Sequence, residues 1–180
     1  MMRRVHVSCM SVGTTMIDLD WLTPALAIGG CFAPEIAELL AREHRISGVV
    51  DLRAEACDDE PVLRRHAIEL LHLPTEDHCA VAPRMLHAGV AFAARHLDAG
   101  SRVLIHCQHG IGRSALLALC VLVDRGHAPL AALELAKTRR AKVSPSPAQY
   151  EAWAAWLRER GAAVPSFDAF AAIAYRHLRS

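Results

Sequence analysis

His106-Cys107-Gln108-His109-Gly110-Ile111-Gly112-Arg113-Ser114-Ala115 decides the reading of this chain. The apolar run Val103-Leu104-Ile105 before it reads as a buried strand, and Leu116 to Val123 after it as a buried helix. A cysteine ending a strand, two glycines in the turn and an arginine opening a helix form an anion cradle with a nucleophile at its base. Five residues separate Cys107 from Arg113, so the intervening N–H groups can curl around one tetrahedral oxyanion. The pattern points to phosphate ester chemistry.

Each residue type suits that purpose. A thiol attacks only as thiolate, and a helix N-terminus with converging amides lowers a cysteine pKa from about 8.5 to roughly 3.5–7.5. The same amides and the helix dipole hold the phosphate under attack. Gly110 and Gly112 permit a close backbone approach to the anion. Arg113 offers a planar fork for two phosphate oxygens. Ser114 can donate its hydroxyl hydrogen to the departing sulfur, and His106 is expected to order the loop backbone through its ring nitrogens. A buried structural cysteine before an ordinary Gly-rich turn is the plain alternative. It leaves the arginine–serine pair and the strand–loop–helix context unexplained.

His-Cys-x5-Arg-Ser resembles the signature of the cysteine-dependent protein tyrosine and dual-specificity phosphatases. The resemblance extends to Trp21 through Gly30, similar to the opening strand of the small atypical members. It also takes in Gly48-Val49-Val50-Asp51-Leu52-Arg53 with Glu55, and Leu73-Pro74-Thr75-Glu76-Asp77 with Pro83. It implies hydrolysis of phosphate monoesters through a phosphocysteine, with no metal or cofactor. A leaving alkoxide or phenoxide needs a proton donor. The family pattern places that role on Asp77, thirty residues before Cys107, with Glu76 as competitor and His78 as the next side chain to test. It also suggests that Gln149 positions the hydrolytic water. Ser146 with Gln149, and Pro147 between them, equally form a helix capping box. Both readings stay open.

Length and composition fit one domain of 180 residues, 53% hydrophobic and 22% charged, with a formal net charge of +1. No global field argues for nucleic acid or an anionic membrane. Six cysteines show neither metal spacing nor a disulfide framework, so a reducing cytoplasmic setting is expected. Cys120 is expected in the core. A regulatory disulfide from Cys57 or Cys79 to Cys107, as the resemblance suggests, is not selected by spacing. The uncharged run from Ser114 to Val123 is far short of the roughly 20 residues that span a bilayer.

Short apolar runs alternate with helical patterns, which predicts an α/β fold. The expectation is a central, mostly parallel sheet of four to five strands flanked by helices. Strands are predicted over 26–29, 48–52, 68–73 and 102–107. Helices are predicted over 33–43, 83–98, 113–125, 130–140, 147–160 and 167–178, the last packing on its own domain. Residues 1–19 read as an N-terminal extension, 20–160 as the phosphatase domain and 161–180 as an additional C-terminal helix.

The resemblance implies other phosphatase substrates besides phosphotyrosine. The loop carries no lysine, and His109 is its only titratable variable group beside Gln108 and Ile111. An aryl phosphate such as phosphotyrosine is favoured, with phosphoserine and phosphothreonine, a phospholipid headgroup and an RNA 5′-phosphate as alternatives. A phosphate-binding pseudophosphatase is disfavoured because Cys107, Arg113 and Asp77 are all present. Oligomeric state is not legible.

Overall fold

The computed structural model describes residues 17–178. Most of the N-terminal extension, including Cys9, lies outside the described residues.

Five strands form one sheet in the order β1-β2-β5-β3-β4. They are β1 (Leu19–Trp21), β2 (Leu26–Gly29), β3 (Ile46–Arg53), β4 (Glu69–Thr75) and β5 (Arg102–His106). Strand β1 is antiparallel to β2, and β2 to β5 run parallel. The central strands are buried on both faces, as parallel strands between helices must be. Val103 and Ile105 point into one core while Leu104 between them joins the other; Val50 and Val49 split the same way.

The smaller core is closed by α1 (Ala37–Arg42) and α2 (Glu60–Arg65) through Leu40 and Leu63. The larger one is filled by α3 (Pro83–Asp98), α4 (Arg113–Asp124), α5 (Pro129–Arg139) and α6 (Pro147–Glu159). Every residue of α4 from Arg113 to Leu122 is buried, so this helix runs through the interior, as its nearly unbroken apolar sequence requires.

Several features differ from the sequence expectation, among them the edge strand β1, which was not among the four predicted strands. Helix α2 was not foreseen, because six residues with only Val62 and Leu63 apolar give no periodicity; Asp59 caps it by accepting from Val62 N at 2.9 Å. The 33–43 stretch divides into a 3₁₀ turn, Pro34–Ile36, and the short α1.

The C-terminal segment is α7 (Phe167–Ala174) followed by a 3₁₀ turn, Arg176–Leu178. It packs on its own domain. Phe170 is fully buried with its ring 5.0 Å from Tyr150 and 6.0 Å from Trp153. The Tyr150 hydroxyl donates to Pro165 O and the Tyr175 hydroxyl to Pro145 O, tying α7 to the entry of α6. Phe170→Ala should therefore cost about 3–5 kcal/mol, a typical price for deleting a buried aromatic ring, measured by denaturant unfolding.

Candidate active site

The parallel strands end at one edge of the sheet, where open α/β folds bind ligands. Gly29 ends β2, Arg53 β3, Thr75 β4 and His106 β5. Cys107 follows β5, and the next five residues lead into the N-terminus of α4. For this loop to turn its N–H groups inward, its carbonyls must turn outward, and each needs a donor. Each has one. Cys31 N donates to Gln108 O at 3.1 Å and Ser144 N to Ile111 O at 3.0 Å. Arg140, only 2% exposed, donates Nη2 to His109 O at 3.0 Å and Nε to Gly110 O at 2.8 Å. Leu116 N serves Gly112 O within the first turn of α4. Asp18 and Asp20 in turn accept from Arg140, at 2.9 and 2.7 Å. Gly110 sits at φ +65°, and a Cβ there would meet Arg140 Nη2 at 2.5 Å and Gly29 backbone at 2.6 Å. Only glycine fits this crossing.

Cys107 is buried, 3% exposed. Burial alone would push its thiol up. The Ser114 hydroxyl, 3.3 Å from Sγ, and the amides of Ser114, His109 and Gly110 outweigh that and bring the pKa below the ordinary cysteine value. The sulfur at the mouth of this helix is thus more acidic than an ordinary thiol.

Arg113 is held as a fork. Its Nη1 and Nη2 each donate to Glu55 at 2.8 Å, Nη1 also to Thr75 O at 2.8 Å. This pairing draws the Glu55 carboxyl down to about 2 and raises the guanidinium above its usual value. The buried Nε–H has no acceptor among the described residues, which leaves one donor of the fork free for an anion.

Asp77 comes to the same place. Its Oδ1 lies 3.3 Å from Arg113 Nη2, and it lines a cavity of about 330 Å³ with His78, Cys107, His109, Ile111, Gly112, Arg113, Ser144 and Gln149. Glu76 is exposed and is not among the lining residues. His78 reaches the cavity, but its side chain is 86% exposed. Gln149 is buried against the loop, and both ends of its amide are engaged: Oε1 accepts from Ser146 N at 2.8 Å and Nε2 donates to Cys79 O at 3.2 Å. The capping box is present.

His106 does not order the loop backbone. Its Nε2 instead meets Asp58 Oδ2 at 2.7 Å, and Nδ1 has no partner among the described residues. Asp58 and Asp51 share the guanidinium of Arg53, at 2.6 and 2.8 Å. Asp51, Asp58 and His106 bring ligand atoms within 4.8 Å of one another, as do Asp51, Cys57 and His72. Arg53 already hydrogen-bonds both carboxylates, so a metal ion at the first cluster would have to displace the arginine.

Glu55, Asp58 and Arg140 escaped functional assignment from sequence. Glu55 carried a signal, a carboxylate just past a strand's C-terminal end. Arg140, in a basic stretch with Arg139 and Lys142, carried none. The five described cysteines are free; Cys57 and Cys79 are at the surface and Cys120 is in the core. Among the described residues no helix is long and apolar enough to cross a membrane.

The chain belongs to the dual specificity phosphatase catalytic-domain family, whose model matches residues 33–159. Dual specificity protein phosphatase 1 of Mus musculus is 38% identical over 76 residues, 41% of this chain and 21% of that protein. The phosphatidylglycerophosphate phosphatase PTPMT1 of Arabidopsis thaliana is 29% identical over 126 residues, 67% and 36% of the two chains. This chain thus spans about a fifth to a third of those curated relatives. Among solved structures, PTPMT1 in complex with PI(5)P superposes with a TM-score of 0.73 at 23% identity, over 78% of this chain and 97% of that one. Tk-PTP in its active form gives 0.69 at 24%, over 79% and 95%. These likenesses show a shared fold.

Because the Ser114 hydroxyl helps hold the Cys107 thiolate, Ser114→Ala should raise the thiol pKa. The pH midpoint of inactivation by iodoacetate should move upward; an unmoved midpoint would mean that the amides alone set the acidity.

Proposed function

We propose that the protein hydrolyses phosphate monoesters through a phosphocysteine, taking aryl phosphates such as phosphotyrosine and also phosphoserine or phosphothreonine. The observation that carries this reading is the convergence on one cavity of a cysteine made more acidic by its surroundings, a forked arginine with an unpartnered Nε–H and an exposed carboxylate. The cradle's inward amides and Arg113 bind three phosphate oxygens. Cys107 Sγ attacks phosphorus opposite the ester oxygen, the P–O bond breaks, and Asp77 gives its proton to the leaving oxygen. In the second half, water attacks phosphorus, the Asp77 carboxylate takes its proton, and Ser114 donates to the sulfur as the P–S bond breaks. Gln149 lines the same cavity, with both ends of its amide already engaged by Ser146 N and Cys79 O. Gln108, His109, Gly110, Ile111 and Gly112 shape the cradle. All the groups these steps require are side chains and amides of the chain itself, so we expect turnover without an added metal or cofactor, in a cytoplasmic setting.

A second reading is supported by the similarity to phosphatidylglycerophosphate phosphatase PTPMT1, which covers more of the chain than the similarity to dual specificity protein phosphatase 1. In it the monoester sits on a phospholipid headgroup. A hydrolysis panel of phosphopeptides, phosphoinositides and phosphatidylglycerophosphate separates the two.

Cys107→Ser should abolish turnover yet still bind vanadate, because the cradle is mainly backbone amide and Arg113. Substantial metal-free hydrolysis by that variant would overturn the mechanism. Asp77→Asn should lose roughly 10²–10⁴-fold on an ester with a poor leaving group. The loss should shrink on an activated aryl phosphate, whose phenolate departs without a proton. Glu76→Gln should change neither rate appreciably.

A further inference from the structure

The segment that presents Asp77 has little holding it from within. Glu76 to Ala80 are all exposed, and the Asp77 side chain is 58% exposed. The carboxylate is not packed; it meets Arg113 Nη2 at 3.3 Å and accepts from His78 N at 3.0 Å, so its reach to the cavity depends on where this backbone is held. His78, next in sequence, occupies the left-handed region at φ +59°, a conformation that a non-glycine residue keeps only when its surroundings impose it.

The imposing contacts come from the first turn of α6. Ser146 Oγ donates to His78 O at 2.7 Å and accepts from Gln149 N at 3.2 Å. One hydroxyl has one proton and two lone pairs, so it can cap the helix and hold the loop at once. Gln149 Nε2 adds a bond to the next carbonyl, Cys79 O, at 3.2 Å. Two consecutive carbonyls, immediately after Asp77, are thereby pinned to one helix terminus. That terminus is itself rigid: its capping box is closed, and the preceding Pro145 carbonyl is held by the Tyr175 hydroxyl at 2.6 Å.

We infer that Ser146 is a positioning residue for proton donation: its hydroxyl latches the Asp77 loop onto the cap of α6, with the carboxylate facing the cavity. The capping box alone needs only an acceptor at position 146. The latch needs the hydrogen as well. This inference rests on the reading of Asp77 as the acid, and the two can fail separately.

The discriminating variant is Ser146→Gly. Glycine is tolerated at an N-cap and carries no charge, so the thermal midpoint should shift by only a few degrees, while the latch is lost. Rates are read on phenyl phosphate, a poor leaving group, and on 4-nitrophenyl phosphate, an activated one. Ser146→Gly should lose ~10-fold in kcat on phenyl phosphate, within the range that small misplacements cost. On 4-nitrophenyl phosphate it should lose about twofold or less, because that phenolate needs no proton. Ser146→Thr, which restores a hydroxyl, should recover most of the phenyl phosphate rate. Ser146→Gly combined with Asp77→Asn should be no slower than Asp77→Asn alone, since both act through one group. Normal phenyl phosphate turnover by Ser146→Gly beside an impaired Asp77→Asn would overturn the latch and leave the acid standing. So would an equal loss on both substrates, which would place the effect on the nucleophile's cradle. An Asp77→Asn variant with no leaving-group dependence would overturn the acid assignment, and the latch with it.

Discussion

The raised acidity of a buried sulfur is the constraint on which the rest of the molecule depends. Cys107 sits almost out of solvent, where an unpaired thiolate would be strongly disfavoured, yet its pKa lies below the ordinary value. The stabilisation comes from amides, and amides can face inward only if their carbonyls face outward. The fold answers with donors for Gln108, His109, Gly110, Ile111 and Gly112 oxygens. The buried guanidinium of Arg140 supplies two of these at once. Its own charge is then met by Asp18 and Asp20 beside the edge strand β1. A three-residue strand that contributes little apolar area thus has an electrostatic reason to be there.

The second half of the site follows a different logic. The surroundings of Cys107 are fixed by burial, whereas the Asp77 loop is exposed and held through two backbone carbonyls and the contact of Asp77 with Arg113. An interior thiolate and a solvent-facing carboxylate meet at one arginine, which Glu55 orients from the end of β3. The carboxylate of Glu55 and the carbonyl of Thr75 engage both Nη atoms and leave Nε–H without an acceptor among the described residues.

Much of this was legible in the sequence because it is local. The loop from His106 to Ala115 is contiguous, α4 announces itself by apolar residues on all faces, and the limits of β2 and α3 coincide with the apolar patterns that predict them. What was not legible is tertiary. Arg140 lies 30 residues from Gly110, and nothing in its neighbourhood distinguishes it from a solvated surface arginine. His106 was expected to serve the loop, but a strand alternates its side chains, and the alternation that sends Cys107 into the cradle sends His106 toward Asp58. The capping box was readable as Ser146 with Gln149; that its hydroxyl proton is spoken for by His78, 68 residues away, was not.

The donors that serve the loop carbonyls carry a kinetic meaning. They come from Cys31, Arg140, Ser144 and the start of α4, spread across the chain, so the cradle can close only after distant segments have docked. A partly folded chain would hold Cys107 as an ordinary thiol. The acidity of the sulfur is then a property of the completed fold, not of the loop sequence alone.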